Sequence, residues 1–139
     1  ALAEGKLDTA ITYLKRALER DTEPFMIYFR LANAYQKRGD LQEAANAYGE
    51  VIKLFPVLFD ARYNLGVIYA AQKRFDAAAR EFEATLNLNP RFSVAYYQLA
   101  LVQVKLGKQD DARKHLETYL KNAPDGEFFQ DAKRRLASL

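Results

Sequence analysis

Apolar residues recur three and four positions apart along this chain, and the pattern itself repeats every 34 residues. Such spacing puts the apolar side chains on one face of a helix, so each stretch of 34 residues predicts two amphipathic helices. The step is kept by Leu31-Ala32, Leu65-Gly66 and Leu99-Ala100, by Ala10, Ala44, Ala78 and Ala112, and by Pro56, Pro90 and Pro124. A fixed period of this length predicts stacked helix pairs that share a continuous core.

The repeat divides the chain into units, each with a first helix and a second helix. Full units are predicted at 25–58, 59–92 and 93–126, with a half unit at 1–24 and a capping helix at 127–139. Glycines between the helices, carboxylates that begin second helices and prolines that end them mark the boundaries. These are Gly5, Gly39 and Gly107, Asp8, Asp76 and Asp110, and the three prolines. We expect eight helices in one all-α domain, with 5–22 and 127–139 unpaired at its ends.

The half unit leaves Ile11, Leu14 and Leu18 without a first helix to cover them. Fraying or a neighbouring molecule would each account for this face. Residues 1–4 have the character of the end of a first helix, so we favour a third interpretation. In that interpretation the chain is a fragment of a longer protein, in which further repeats precede it.

The three full units resemble the tetratricopeptide repeat. Numbered from 1 to 34, the family has a large residue at 4, Leu at 7, small residues at 8 and 20, Tyr at 11, Gly at 15, an aromatic at 24, Ala at 27 and Pro at 32. The units give Tyr28, Leu31, Ala32, Tyr35, Gly39, Ala44, Tyr48, Val51 and Pro56; Arg62, Leu65, Gly66, Tyr69, Lys73, Ala78, Phe82, Thr85 and Pro90; and Tyr96, Leu99, Ala100, Gln103, Gly107, Ala112, Leu116, Tyr119 and Pro124. The resemblance implies a right-handed α-solenoid that binds proteins and has no enzymatic activity.

The last segment departs from the family pattern. Lys133 and Arg134 stand where a further unit would have its Leu and small residue, while Phe129, Ala132 and Leu136 share one helical face. Phe128 and Leu139 flank that face, and Tyr119 replaces the family's Ala on the preceding helix. We therefore interpret 127–139 as a polar-faced cap that packs differently from an ordinary repeat.

In this family the first helices line a concave groove, mainly through positions 2, 5, 9 and 12. Position 5 is aromatic in all three units, as Phe29, Tyr63 and Tyr97, and such rings can anchor a peptide. Alternatively, the rings pack on neighbouring helices and only their edges are exposed. The predicted peptide-binding residues are Met26, Phe29, Asn33, Gln36, Tyr63, Asn64, Val67, Val94, Tyr97, Leu101 and Val104.

One subclass of the family clamps the C-terminal carboxylate of chaperone peptides with three cations and two asparagines. The corresponding positions here hold Phe29, Asn33, Asn64, Val94 and Gln98. Both asparagines are present and all three cations are absent, although a carboxylate clamp needs charge-assisted hydrogen bonds. The sequence therefore predicts a different ligand, whose backbone the two asparagines could still bind.

Composition narrows the function further. The chain has no Cys, which excludes disulfides and cysteine zinc sites, and no apolar run of membrane-spanning length. Its net charge of +3 comes from residues 70–139, where twelve basic residues meet nine acidic ones, including the run Lys133-Arg134-Arg135. Interleaved charges of this kind indicate a solvated surface, so we expect no nucleic-acid binding and no membrane insertion. A soluble protein of the cytoplasm and a soluble protein of the periplasm are equally compatible with this composition.

No residue pattern indicates catalysis or a cofactor. His115 is the only histidine and has no nucleophile motif beside it, so we expect it at the surface. Asp110 and Asp111 are better explained as acidic residues at a helix start than as a catalytic pair. Phosphate loops, dinucleotide fingerprints and metal-ligand spacings are absent from the sequence.

Two functions follow from these observations. The first is a groove that binds an apolar peptide or an amphipathic helix of a protein partner. The second is a scaffold whose ends, above all the N-terminal half repeat, mediate self-association or multiprotein assembly.

Overall fold

The computed structural model describes residues 2–20 and 24–139, and this part of the chain contains eight α-helices and no strand. The helices are α1 (Leu2–Leu18), α2 (Pro24–Arg38), α3 (Leu41–Leu54), α4 (Phe59–Ala71), α5 (Phe75–Leu88), α6 (Val94–Lys105), α7 (Gln109–Asn122) and α8 (Phe129–Ala137). Each helix packs mainly on its neighbours in the chain, which is the arrangement of an all-α solenoid. The predicted fold class is confirmed.

Small residues bring the two helices of each pair into close contact. Ala32, Ala44, Ala78, Ala100 and Ala112 have no exposed surface. Gly66 of α4 is also buried, and a Cβ atom built on it would lie 2.7 Å from Cε1 of the Phe82 ring on α5. The family's small residues therefore remove side-chain volume where the paired helices touch.

Positive φ angles end two of the first helices where the sequence predicts glycine. Gly39 has φ of 90° and Gly107 has φ of 77°, and Lys73 adopts the same left-handed region with φ of 61°. A lysine Cβ crowds the backbone in this conformation, whereas glycine has no Cβ. Lys73 thus carries a local strain that the other two turns avoid.

The predictions for Gly5 and Asp8 are wrong. Both lie inside α1, which is continuous from Leu2 to Leu18, so residues 2–4 are not the tail of a separate helix. The α-helix continues through Gly5 instead of ending there, and a helix interior tolerates glycine at a cost of about 1 kcal/mol. Asp8 does not begin this helix; its carboxylate instead lies 2.6 Å from Nη1 of Arg38 on α2. Ala1 and the predicted helix end at residue 22 lie outside the described residues.

Asp76 and Asp110 lie in the first turn of α5 and α7, as predicted. The N-cap residues themselves are Arg74 and Lys108, and neither makes a side-chain cap hydrogen bond. The carboxylates therefore act through the positive end of the helix dipole rather than by capping.

The C-terminal helix packs against the third helix pair. Ala132 has no exposed surface, and Phe128, Leu136 and Leu139 pack around it against a core that includes Tyr97 and Tyr119. The main aromatic contact comes from Phe128, which precedes α8, rather than from Phe129 as the sequence suggested. This contact positions α8 over one end of the predicted groove.

Candidate functional site

The predicted peptide-binding residues lie on α2, α4 and α6, on what we call the first-helix face (Met26, Phe29, Asn33, Gln36, Tyr63, Asn64, Val67, Val94, Tyr97, Leu101 and Val104). Its three aromatic rings each pack on a ring of the second helix in the same unit. The ring centroids are 5.7 Å apart for Phe29 and Tyr48, 5.7 Å for Tyr63 and Phe82, and 5.5 Å for Tyr97 and Tyr119. These contacts hold the rings in defined orientations before any ligand arrives.

The first unit contributes the most exposed apolar side chain of this face. Met26 is 47% exposed, and Phe29 beside it is half-buried. The Tyr48 hydroxyl donates a hydrogen bond to Oδ1 of Asn33 at 2.5 Å and lies 3.1 Å from Oε1 of Gln36. The Asn33 carbonyl oxygen is thus engaged within the protein, and the Asn33 and Gln36 amides each retain an NH2 group as a donor.

Tyr48 is fully buried and lies at the centre of the polar cluster that it forms with Asn33 and Gln36. Burial raises the pKa of its hydroxyl to about 12, and the Asn64 amide opposes the rise. The hydroxyl therefore stays protonated at neutral pH and connects side chains of α2 to the neighbourhood of α4. The hydrogen bond from Tyr48 fixes Asn33, one of the two asparagines that the sequence marked as candidates for binding a ligand backbone.

The second unit places Tyr63 at the middle of the face. Its ring packs on Phe92 with centroids 5.1 Å apart, in addition to its contact with Phe82, and its oxygen accepts a hydrogen bond from Nε2 of Gln98 at 3.3 Å. Asn64 and Val67 beside it are half-buried. Tyr63 is therefore rigid yet partly accessible, which suits an anchor for a peptide side chain.

The third unit differs, because the capping helix covers its ring. Tyr97 is only 5% exposed, stacks on Phe128 with centroids 4.5 Å apart and donates its hydroxyl to Asp131. Leu101 and Val104 pack against the same C-terminal cluster. Tyr97 therefore fits the alternative in which a position-5 ring packs inside the protein and does not bind a ligand. Phe29 and Tyr63 remain as partly exposed rings.

A cavity of about 470 Å³ lies where the first-helix face meets the loop between α7 and α8. It is lined by Tyr63 and Val94 from the predicted face and by residues that the prediction did not include, namely Tyr119, Ala123, Gly126, Glu127 and Phe128. We call it the C-terminal pocket. Tyr119, which replaces the family's Ala, indicated in the sequence that the last segment packs differently. The position of the loop that folds over Tyr119 could not be predicted from the residue spacing.

His115 is not a simple surface residue, contrary to the expectation. It is half-buried, with Nδ1 2.7 Å from Oε1 of the buried Gln103 and its ring stacked on Tyr96. Burial lowers the pKa of His115, and the carboxylates of Asp111 and Glu83 oppose that shift. In the neutral form with a proton on Nδ1, it donates to Gln103 and joins α7 to α6.

The described residues contain no group of three or more His, Asp or Glu side chains placed to hold a metal ion. In the same part of the chain, no helix has both the length and the apolar character that crossing a bilayer requires.

Two family models described as Tetratricopeptide repeat match the chain, one over residues 29–91 and the other over residues 69–136. The chain belongs to the tetratricopeptide repeat family. Its repeats make it a protein-interaction module, and proteins of this kind are generally non-enzymatic.

Curated relatives of the chain include larger proteins. Tetratricopeptide repeat and J domain-containing co-chaperone DNJ1 of Cryptococcus neoformans is 35% identical over 96 residues, which cover 69% of this chain and 18% of that protein. DnaJ homolog subfamily C member 3 of Gallus gallus is 30% identical over 89 residues, which cover 64% of this chain and 18% of that protein. This chain therefore corresponds to less than a fifth of either relative.

Solved structures show the same architecture. MamA superposes with a TM-score of 0.89 at 25% identity, over 96% of this chain and 77% of that structure. YrrB, described as a TPR protein with an unusual peptide-binding site, superposes with a TM-score of 0.84 at 19% identity, over 96% of this chain and 69% of that structure. Their agreement extends over almost the whole repeat array.

Proposed function

We propose that the first-helix face binds an apolar peptide or an amphipathic helix of a protein partner. The observation that supports this proposal is the combination of Met26, which is 47% exposed, with the half-buried rings of Phe29 and Tyr63. An exposed apolar side chain next to fixed rings gains free energy when a ligand removes it from water.

The fixed rings favour affinity because little conformational freedom is lost on binding. Phe29 and Tyr63 are each held by a ring of a second helix, so their orientations do not have to be selected when the ligand arrives. Anchors of this kind typically cost more than about 1–2 kcal/mol of binding energy when truncated to Ala. The amide NH2 groups of Asn33 and Gln36 add donors for a ligand backbone.

The test begins with a displayed library of random peptides selected on the unmodified protein. The affinities of enriched peptides are then measured by fluorescence anisotropy on three proteins: the original, Met26→Ala/Tyr63→Ala, and Leu54→Ala/Leu88→Ala. The last variant is the control, because Leu54 and Leu88 are 48% and 39% exposed on second helices and lie outside the first-helix face.

We expect the face variant to lose at least about tenfold in affinity, corresponding to about 1.4 kcal/mol, and the control to lose little. Because apolar burial is not screened by ions, affinity should also change little between low and high NaCl concentration. Equal losses in both variants, or a steep fall with salt, would contradict the proposal. Circular dichroism spectra of the variants check that their helical content is unchanged.

A second candidate function, association through the N-terminal end, is favoured by a difference between the half unit and the full units. Ala10 and Leu14 are partly exposed on α1. Their counterparts, Ala44 and Tyr48, Ala78 and Phe82, and Ala112 and Leu116, have no exposed surface. A groove of about 440 Å³ between α1 and α2 lies beside Ala10 and Leu14 and also contacts Tyr13, which is 67% exposed.

Sedimentation velocity over a range of protein concentrations separates the two functions. Association through this end predicts concentration-dependent oligomers that Tyr13→Ala weakens and Tyr63→Ala leaves unchanged. Tyr97→Ala is unsuitable as the comparison, because Tyr97 is buried under α8 and its loss would disturb the fold. A protein that stays monomeric at every concentration would rule out self-association through α1.

A further inference from the structure

The C-terminal pocket has aromatic walls and one carboxylate. Tyr63 and Phe128 supply half-buried rings above Tyr119, which is only 2% exposed, Val94 adds an aliphatic side chain, and Glu127 is exposed at the cavity. Of the residues that line it, Glu127 alone carries a formal charge. Ring faces carry negative electrostatic potential, so a cavity with several rings and a carboxylate is electrostatically suited to a cation.

The pocket is built from interactions that hold its walls in place. The backbone N–H of Phe128 donates to the Tyr119 hydroxyl at 3.1 Å, and the Phe128 ring stacks on Tyr97 with an angle of 2° between the ring planes. The loop passes so close to Tyr119 that a Cβ atom on Gly126 would lie 2.3 Å from the Tyr119 oxygen. Glycine at 126 therefore permits the loop to close one side of the cavity.

The two carboxylates near the pocket, Asp131 and Glu127, differ in their partners. Asp131, close to this end, accepts hydrogen bonds from Tyr97, Arg134 and Arg135. Within residues 2–20 and 24–139 no ion pair involves Glu127. Burial raises the pKa of Tyr63, and the Gln98 amide opposes this rise. The negative charge of Glu127 raises the pKa of Tyr63 further, so the Glu127 carboxylate lies within electrostatic reach of the Tyr63 ring.

We propose that the C-terminal pocket binds an ammonium group, namely the side chain of a lysine or methylated lysine in the peptide ligand. The inference rests on the proposed function, since the peptide would run along the first-helix face and place this side chain between Tyr63 and Phe128. The half-buried rings of Tyr63 and Phe128 attract the cation and Glu127 neutralises it, while Val94 contacts the aliphatic stem. The apolar face then supplies affinity, and the pocket supplies selection for a basic residue.

The test uses two small probes that differ in charge and have nearly the same shape. Choline carries a trimethylammonium group, and 3,3-dimethylbutan-1-ol carries a neutral tert-butyl group in its place. Each is titrated into the ¹⁵N-labelled protein at constant ionic strength kept with NaCl, and amide shifts are followed at Gly126, Glu127 and Phe128. We expect choline to shift these amides in a saturable way and the neutral alcohol to bind about two- to fivefold more weakly, as a cation–π contribution of about 0.5–1 kcal/mol at an exposed site implies.

Glu127→Gln and Glu117→Gln provide the matched pair of variants. Both carboxylates are exposed, and Glu117 on α7 does not line the pocket. Glu127→Gln should weaken choline binding at least about twofold and leave the neutral alcohol unaffected, whereas Glu117→Gln should change neither. Equal binding of both probes, shifts no larger than with NaCl, or an unchanged choline affinity in Glu127→Gln would overturn the proposal.

The result also separates this inference from the proposed function, because the titration contains no peptide. Selected peptides that bind the first-helix face without any enrichment of lysine would overturn the ammonium pocket and leave the groove function standing. If choline binds but the library yields no binder of the first-helix face, the ammonium pocket stands and the proposed groove function is contradicted.

Discussion

Gly66→Ala tests a close contact between α4 and α5. Glycine in a helix interior is less favourable than alanine by about 0.8–1.0 kcal/mol, so the substitution would stabilise an isolated helix. In this protein the new Cβ would lie 2.7 Å from Cε1 and 2.9 Å from Cδ1 of Phe82. Phe82 has no exposed surface, so its ring cannot move away into solvent.

The chain offers a matched control in Gly49→Ala. Gly49 lies inside α3, and a Cβ atom there would meet nothing within 4 Å. This variant should therefore gain the full propensity term of about 0.8–1.0 kcal/mol. Gly66→Ala should lose about 1–3 kcal/mol to overpacking, which leaves it between neutral and about 2 kcal/mol less stable than the original protein.

Urea unfolding followed by circular dichroism and by tyrosine fluorescence measures both variants. Coincident transitions show that the array unfolds cooperatively. For an m-value of about 1–3 kcal/mol/M, the midpoints of the two variants should differ by on the order of 1 M, with Gly66→Ala lower. If Gly66→Ala stabilised the protein as much as Gly49→Ala, α4 and α5 would not be in the close contact described above.

Three further predictions concern the same array. Ala78→Leu should cost about 1–3 kcal/mol of unfolding free energy, because Ala78 is fully buried, and Ala71→Leu should cost much less, because Ala71 is exposed; equal melting temperatures would contradict the register. Lys73→Gly should stabilise by about 0.5–1 kcal/mol in urea unfolding by relieving its positive φ, whereas Lys73→Ala keeps a Cβ and should give no gain. Burial raises the pKa of Tyr48 and Tyr97 to about 12, whereas tyrosines of the unfolded state lose their protons near pH 10. The free energy of unfolding should therefore fall as the pH rises from 10 to 12. Urea midpoints at pH 9 and pH 11 measure this fall, which Tyr48→Phe should reduce.

The order and type of the helices were predictable because their determinants are local. Small residues such as Ala44 and Ala78, turn glycines such as Gly39 and the prolines all act on neighbouring turns of helix or on the paired helix. Their 34-residue step carries this information directly into the sequence. Gly5 misled the prediction because it keeps the 34-residue step of the turn glycines, whereas α1 continues through it.

The burial of Tyr97 could not be predicted from periodicity. Tyr97 occupies the same position in its unit as Phe29 and Tyr63, but its exposure depends on a loop and a helix that follow the last unit. The stacking of Phe128 and the hydrogen bond to Asp131 are contacts between residues about 30 positions apart. The C-terminal pocket arises from the same packing and was therefore also outside the reach of the repeat pattern.

Amide chemical-shift mapping with a library-selected peptide tests the central claim most directly. The claim predicts that the largest shifts in the ¹⁵N-labelled protein fall on α2 and α4, around Met26, Phe29, Asn33 and Tyr63, and that the exposed faces of α3 and α5 change little. Shifts concentrated on α3 and α5, or on α1 around Tyr13, would contradict binding at the first-helix face.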